Sequence, residues 1–289
     1  MSVDILQEKI RRTKNPTILE LNLAPDQLPA AFEQNAAGYG EFCRELLESL
    51  KGFLPGVRVS FSSFALLGAE GLTQLSYTMK TAASLGFYVI LDGPEMFSPA
   101  GAEQLASCIF GENSQFPCDA LVISGYMGSD GIKPFLPYVK QGKKDLFVVA
   151  RSANKSASEI QDLLAGSRVV HAAVADHVNR YGADTAGKFG YTRVGILGAA
   201  SSADSLRSLR AKYPKLFFLV DGYDYPNANA KNCSFAFDKF GHGAVVCSGL
   251  GITCAWNQSE NAAESDWLEC AHSAAERMKK NLTRYITIM

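Results

Sequence analysis

Residues 87–97, FYVILDGPEMF, form an apolar run that meets an acid and then breaks at Gly93-Pro94. Such a run is typical of a buried parallel strand that delivers its last residue to a loop at the edge of the sheet. In an eight-stranded α/β barrel, an acid at the C-terminal end of a strand is a first candidate for catalysis. The stretch therefore predicts a barrel strand with Asp92 at the barrel mouth.

Similar apolar or β-branched runs recur on both sides of this stretch and alternate with helical patterns. The predicted strands are 16–23, 57–61, 87–92, 119–124, 146–150, 194–197, 216–220 and 244–247. The predicted helices are 2–13, 36–51, 68–85, 99–110, 131–139, 156–181 with a break around 166, 202–212 and 262–285. Eight strand-helix units without a composition break predict one α/β domain over residues 1–289. This is a single (β/α)8 TIM barrel with an N-terminal helix and a long C-terminal helix. A doubly wound sheet is the alternative, but no GxGxxG motif follows the first strand.

The composition is that of an ordinary globular chain, with 289 residues, 47% hydrophobic content and a formal net charge of −1. This net charge does not indicate nucleic-acid binding, and no run of Lys or Arg indicates binding to an anionic membrane surface. The first residues lack the apolar segment of a signal peptide, so a cytoplasmic location is expected. Seven cysteines and four scattered histidines show no zinc or HExxH spacing, so no metal site is predicted.

Four segments carry a resemblance to a known family. They are GAEGL at 68–72, GYMGSDGIKPFL at 125–136, VVARSAN at 148–154 and HGAVVCSGLGI at 242–252. In this order and at barrel positions, they resemble orotidine 5'-monophosphate decarboxylase in its longer bacterial form. The resemblance implies a (β/α)8 barrel, usually dimeric, that belongs to pyrimidine biosynthesis. It also implies a lyase that converts orotidylate to uridylate without a cofactor.

The catalytic array of that family, Asp-x-Lys-x-x-Asp after strand three, is not kept. The resemblance places the first acid at Asp92, the lysine at Pro94 and the second acid at Phe97. In this chemistry the first acid disfavours the bound substrate carboxylate, while the lysine stabilises the developing carbanion and protonates it. Proline and phenylalanine do neither, so loss of decarboxylase activity is expected.

Other family positions also differ. The strand-one acid that holds the ribose falls on Ala24, and the strand-two lysine falls on Arg58. Around the phosphate, the strand-eight arginine falls on Leu250 and the strand-seven loop glutamine falls on Pro226. Arg58 keeps a positive charge and remains a candidate ligand-binding residue, although its planar guanidinium is not equivalent to an ammonium group.

The glycine-rich turn after strand eight is the best candidate for a remaining anion site. Ser248, Gly249 and Gly251 can present backbone N–H groups to a phosphate-like group, although a tight turn explains the same glycines. Four acids are predicted on loops near the same mouth: Asp92, Glu95, Asp221 and Asp224. They are expected either to bind a cation or an amine, or to be solvated charges and helix caps.

Further candidate ligand-binding residues follow strands four and five. Ser124, Tyr126, Ser152 and Asn154 can contact a heterocycle, although turn formation explains them equally well. Arg151 can bind an anion, or it can form an internal ion pair with one of the four acids near the mouth.

Three hypotheses for function remain open. The first is a non-enzymatic binding or regulatory protein for a small phosphorylated or nucleotide-like ligand. The second is another small-molecule reaction that uses Asp92 with Glu95, Arg151 or Asp221. The third is a decarboxylase with a displaced lysine, for which the candidates are Lys133, Lys155 and Lys231. The resemblance also implies a homodimer, with Phe97 as an apolar interface contact.

Overall fold

Eight parallel strands close into a barrel in which each strand pairs with its neighbours along the chain, and the first strand pairs with the last. The structure is a computed structural model and describes residues 3–258 and 264–289. The strands are β1 Thr17–Leu21, β2 Gly56–Ser60, β3 Tyr88–Asp92, β4 Ala120–Ser124, β5 Asp145–Val149, β6 Thr192–Ala199, β7 Leu216–Asp221 and β8 Ala244–Ser248. This arrangement confirms the predicted single (β/α)8 barrel.

Helices cover the outside of the barrel between the strands. The longer ones are Val3–Thr13, Ala36–Leu50, Gly68–Ser84, Pro99–Phe110, Val170–Gly182, Ala203–Lys212 and Trp267–Thr283. Two of them begin at capping side chains that the sequence supplies. Asn35 accepts a hydrogen bond from the Gly38 N–H, and Ser98 accepts one from the Gly101 N–H. The last helix was predicted from residue 262, which lies outside the described residues.

The segment between β5 and β6 differs from the predicted helix 156–181. It contains a 3-10 turn at Lys155–Glu159 and a small hairpin in which Leu164–Ala165 pairs with Arg168–Val169. The hairpin turns at Gly166, whose φ is +67°. The predicted helix 131–139 is also broken, into Ser129–Ile132, a 3-10 turn and Leu136–Lys140. Pro134 and Pro137 lack the N–H group that a continuous helix requires.

The barrel interior is apolar along most of its length and carries ionisable groups at both ends. At the N-terminal end, the Tyr88 hydroxyl donates to Asp145 Oδ2 at 2.5 Å, and both residues are fully buried. Burial raises the pKa of Asp145 to about 8, against the hydrogen bond from Tyr88, which lowers it. The C-terminal ends of the strands form the opposite end of the barrel, and the charged groups there are described below. In the part of the chain described, no helix has the length and hydropathy needed to cross a membrane.

Candidate functional site at the barrel mouth

A buried arginine lies at the centre of the C-terminal end of the barrel. Arg58, in the middle of β2, is 5% exposed, and its guanidinium contacts three carboxyl groups from three other strands. Nη1 lies 2.8 Å from Asp221 Oδ1 and 3.3 Å from Glu20 Oε1, and Nη2 lies 2.9 Å from Asp92 Oδ2. Glu20 is the direct register neighbour of Arg58 on β1, whereas Asp92 ends β3 and Asp221 ends β7.

Three acids around one guanidinium cannot all be neutralised by it. Burial raises the pKa of Glu20 to about 8, and the nearby Asp221 and Asp92 carboxylates add to this rise, while Arg58 opposes it. Burial lowers the pKa of Arg58, but the three surrounding acids outweigh this effect and raise it. At neutral pH the cluster therefore contains a charged Arg58 and a protonated Glu20.

A cavity of about 410 Å³ opens beside this cluster. Three carboxyl side chains line it together with apolar ones from the loops after β7 and β8. The lining residues are Glu20, Asn22, Asp221, Gly222, Asp224, Tyr225, Pro226, Cys247, Leu250 and Gly251. Among the described residues, the wall of this cavity contains no lysine or arginine. The mouth is thus acidic on the side where the cavity lies.

The glycine-rich turn after β8 already holds an anion from the protein itself. The Ser248 hydroxyl donates to Asp224 Oδ1 at 2.6 Å, and the N–H groups of Gly249 and Gly251 donate to Oδ2 at 2.7 and 3.2 Å. The donors that the sequence assigns to a phosphate-like ligand therefore bind the carboxylate of Asp224, which the sequence analysis treated only as a loop acid.

The residues predicted after β4 and β5 make local contacts. Ser124 Oγ accepts from the Tyr126 N–H, and the Tyr126 hydroxyl donates to the Ala150 carbonyl at 2.7 Å. Ser152 Oγ lies within hydrogen-bond distance of Asn154 Oδ1 and of the Gln161 side chain. These contacts are those of turns, and none of the four predicted residues lines the cavity.

Arg151 forms an internal ion pair, but its partner is not one of the four acids near the mouth. Its Nε and Nη2 donate to the two carboxylate oxygens of Asp162 at 3.2 and 2.9 Å, and His171 Nδ1 lies 3.1 Å from the same carboxylate. The hydrogen bond from Arg151 lowers the pKa of Asp162. The predicted partner was wrong because Asp162 lies within residues 156–169, which the sequence assigned to a helix.

The loop that follows Asp92 faces solvent. Glu95 is exposed and Phe97 is 86% exposed, and both line a separate surface depression together with Pro94 and Cys108. The structure therefore brings Asp92 and Asp221 together at Arg58 and leaves Glu95 and Arg151 elsewhere. The hypothesis of another reaction at this mouth used Asp92 with Glu95, Arg151 or Asp221, and only Asp92 and Asp221 lie close together.

Sequence reasoning missed Glu20, which lines the cavity and contacts Arg58. A signal was present, because TILEL at 17–21 contains a single acid inside an otherwise apolar strand. Cys247, at the end of β8, is fully buried, and burial raises the pKa of its thiol well above the ordinary value. The described residues contain no group of three or more His, Cys, Asp or Glu side chains that could hold a metal ion.

The fold and the site define a class: a (β/α)8 barrel whose ionisable residues and ligand-sized cavity lie at the C-terminal ends of the strands. Comparison with known proteins makes this more specific. The chain is 28% identical to orotidine 5'-phosphate decarboxylase of Rhodopirellula baltica, over 96% of this chain and 97% of that protein. It is 26% identical to the Clostridium novyi enzyme of the same name, over 98% of each chain.

A solved structure agrees with these relatives. OMP decarboxylase of Leishmania donovani superimposes with a TM-score of 0.76 at 25% identity, over 99% of both chains. No protein-family model matches the chain. The chain is therefore similar, over nearly its whole length, to proteins named orotidine 5'-phosphate decarboxylase.

Proposed function

We propose that this barrel does not decarboxylate orotidylate and instead acts as a binding or regulatory protein for a small ligand at its mouth. The observation that carries the proposal is the sequence after Asp92, where the resemblance assigns the family's lysine to Pro94 and its second acid to Phe97. Decarboxylation leaves a carbanion that must be stabilised and protonated. Neither replacement has a side-chain proton to give.

The surroundings of Asp92 support the same proposal. Its carboxylate lies 2.9 Å from Arg58 Nη2, so its charge is balanced by a buried guanidinium. In the family chemistry this acid acts through repulsion of the substrate carboxylate, and a salt bridge reduces that repulsion. An acid held in this way serves to position Arg58.

A displaced lysine receives no support from the geometry. The three candidates, Lys133, Lys155 and Lys231, are all exposed, and none of them lines the cavity.

The cavity of about 410 Å³ is within the range of small-molecule sites, so loss of the reaction leaves room for a bound ligand of nucleotide-like size. We include in the proposal the homodimer that the resemblance implies. Phe97, 86% exposed on the loop after β3, would be covered by the partner.

The test is release of labelled carbon dioxide from carboxyl-labelled orotidylate by the purified protein. The Clostridium novyi relative, assayed in parallel, shows that the conditions permit the reaction. We expect release at the rate of the buffer blank, for the wild type and for Asp92→Asn alike. Release by the wild type at an enzyme-like rate would overturn the proposal, and a fall of at least tenfold in Asp92→Asn would show in addition that Asp92 takes part in the reaction.

A further inference from the structure

The turn after β8 has the geometry of an anion site. Three donors converge on one carboxylate: the Ser248 hydroxyl and the N–H groups of Gly249 and Gly251, at 2.6 to 3.2 Å. Convergent backbone N–H groups of this kind bind phosphate oxygens as readily as carboxylate oxygens. In (β/α)8 barrels, phosphate is frequently bound by the loops after strands seven and eight. Here both loops contribute, but the loop after β7 supplies the anion itself.

The packing around the turn is adapted to this internal anion. A Cβ atom at Gly251 would lie 2.3 Å from Asp224 Oδ1, so the carboxylate occupies the space that a larger residue would fill. The loop that carries Asp224 is bounded by Gly222 and Asn227, whose φ angles are +75° and +70°. Both residues are in the left-handed backbone region, which Gly and Asn adopt more readily than other residues.

We propose that Asp224 is an autoinhibitory internal ligand, which fills the anion site of the 248–251 turn and keeps phosphate groups out of it. A ligand that carries a phosphate monoester binds this turn only when the Asp224 carboxylate leaves. This inference deepens the proposed function and rests on it, since it names the ligand class that the mouth of the wild-type barrel excludes.

Two physical effects make the exclusion strong. Asp224 is part of the chain, so its effective concentration at the turn is far above that of a free anion. Displacement also leaves the Asp224 carboxylate in the cavity beside Asp221, where its negative charge repels a second anion. Removal of the carboxylate eliminates both effects at once and leaves the three donors available.

The experiment is equilibrium dialysis of the purified full chain against radiolabelled inorganic phosphate, for the wild type, Asp224→Ala and Glu95→Ala. Glu95 is an exposed acid on the loop after β3, so Glu95→Ala removes one negative charge from the same end of the barrel and leaves the turn filled. We expect Asp224→Ala to bind phosphate with a dissociation constant of about 1 mM, and at least about tenfold more tightly than the wild type. Glu95→Ala should behave as the wild type.

Equal binding by the wild type and Asp224→Ala, or an equal gain in Glu95→Ala, would overturn the inference. If Asp224→Ala does not fold, Asp224→Ser replaces it, because serine keeps a small polar side chain on the loop. The two proposals fail separately. Carbon dioxide release from orotidylate bears on the proposed function alone, whereas equal phosphate binding bears on Asp224 alone.

Discussion

Replacement of Glu20 by glutamine tests whether the acid beside Arg58 is protonated in the folded protein. Glu20 is 8% exposed, and its pKa in the folded state is about 8, compared with about 4.3 in an unfolded chain. Between these values the folded state keeps a proton that the unfolded state releases. Because the folded pKa is the higher one, the contribution of Glu20 to stability decreases as the pH rises through this window.

The magnitude follows from the pKa values. The free energy of unfolding should fall by about 1.4 kcal/mol per pH unit from this group, less steeply near pH 8, which sums to about 2 kcal/mol between pH 6 and pH 8. Glutamine does not titrate. The stability of the wild type minus that of Glu20→Gln should therefore decrease by about 2 kcal/mol over this range, and groups unaffected by the substitution cancel in the difference.

The assay is equilibrium urea unfolding followed by far-ultraviolet circular dichroism, at pH 6 and pH 8 and at equal protein concentration. A difference that changes by less than about 0.5 kcal/mol, or that grows with pH, would refute the reasoning. Either result would mean that Glu20 is ionised at pH 6, and thus that the attraction of Arg58 outweighs burial.

Two further predictions concern the ion pairs of the barrel, both measured by urea unfolding. Arg58→Met leaves Asp92 and Asp221 without their shared cation and should lower the free energy of unfolding at pH 7 by about 3–5 kcal/mol. Arg58→Lys keeps a cation and should lower it less. A decrease below about 1 kcal/mol in Arg58→Met would contradict this prediction. Asp162→Asn removes the charged acceptor of Arg151 and should cost about 2 kcal/mol at pH 7. Because the pKa of Asp162 is lowered, that cost should be present above about pH 4 and vanish as the pH falls further, and an equal cost at low pH would argue against it.

Most of the barrel could be predicted from the sequence, since each strand is a short apolar run between helical patterns. The prediction failed over residues 156–169, where apolar residues at helical spacing, such as Ile160, Leu163 and Leu164, are exposed on a turn and a small hairpin. Periodicity alone does not show whether such residues find a surface to cover.

The candidate site could be predicted in position but not in its contacts. Asp92 and Asp221 end barrel strands, so their place at the mouth follows from the fold. Their shared partner, Arg58, follows only from strand order and register, which bring residues 163 positions apart within 2.8 Å. The Asp224 contact with the β8 turn depends on the path of a loop that no local pattern specifies.

The buried acids at the two ends of the barrel also link folding to the buffer. Glu20 at one end and Asp145 at the other both have a pKa of about 8 in the folded protein, so at pH 7 these two groups together take up close to two protons on folding. Unfolding returns these protons to whatever base is present. The heat absorbed when this protein melts therefore includes the protonation enthalpy of the buffer, and differs between buffers of the same pH.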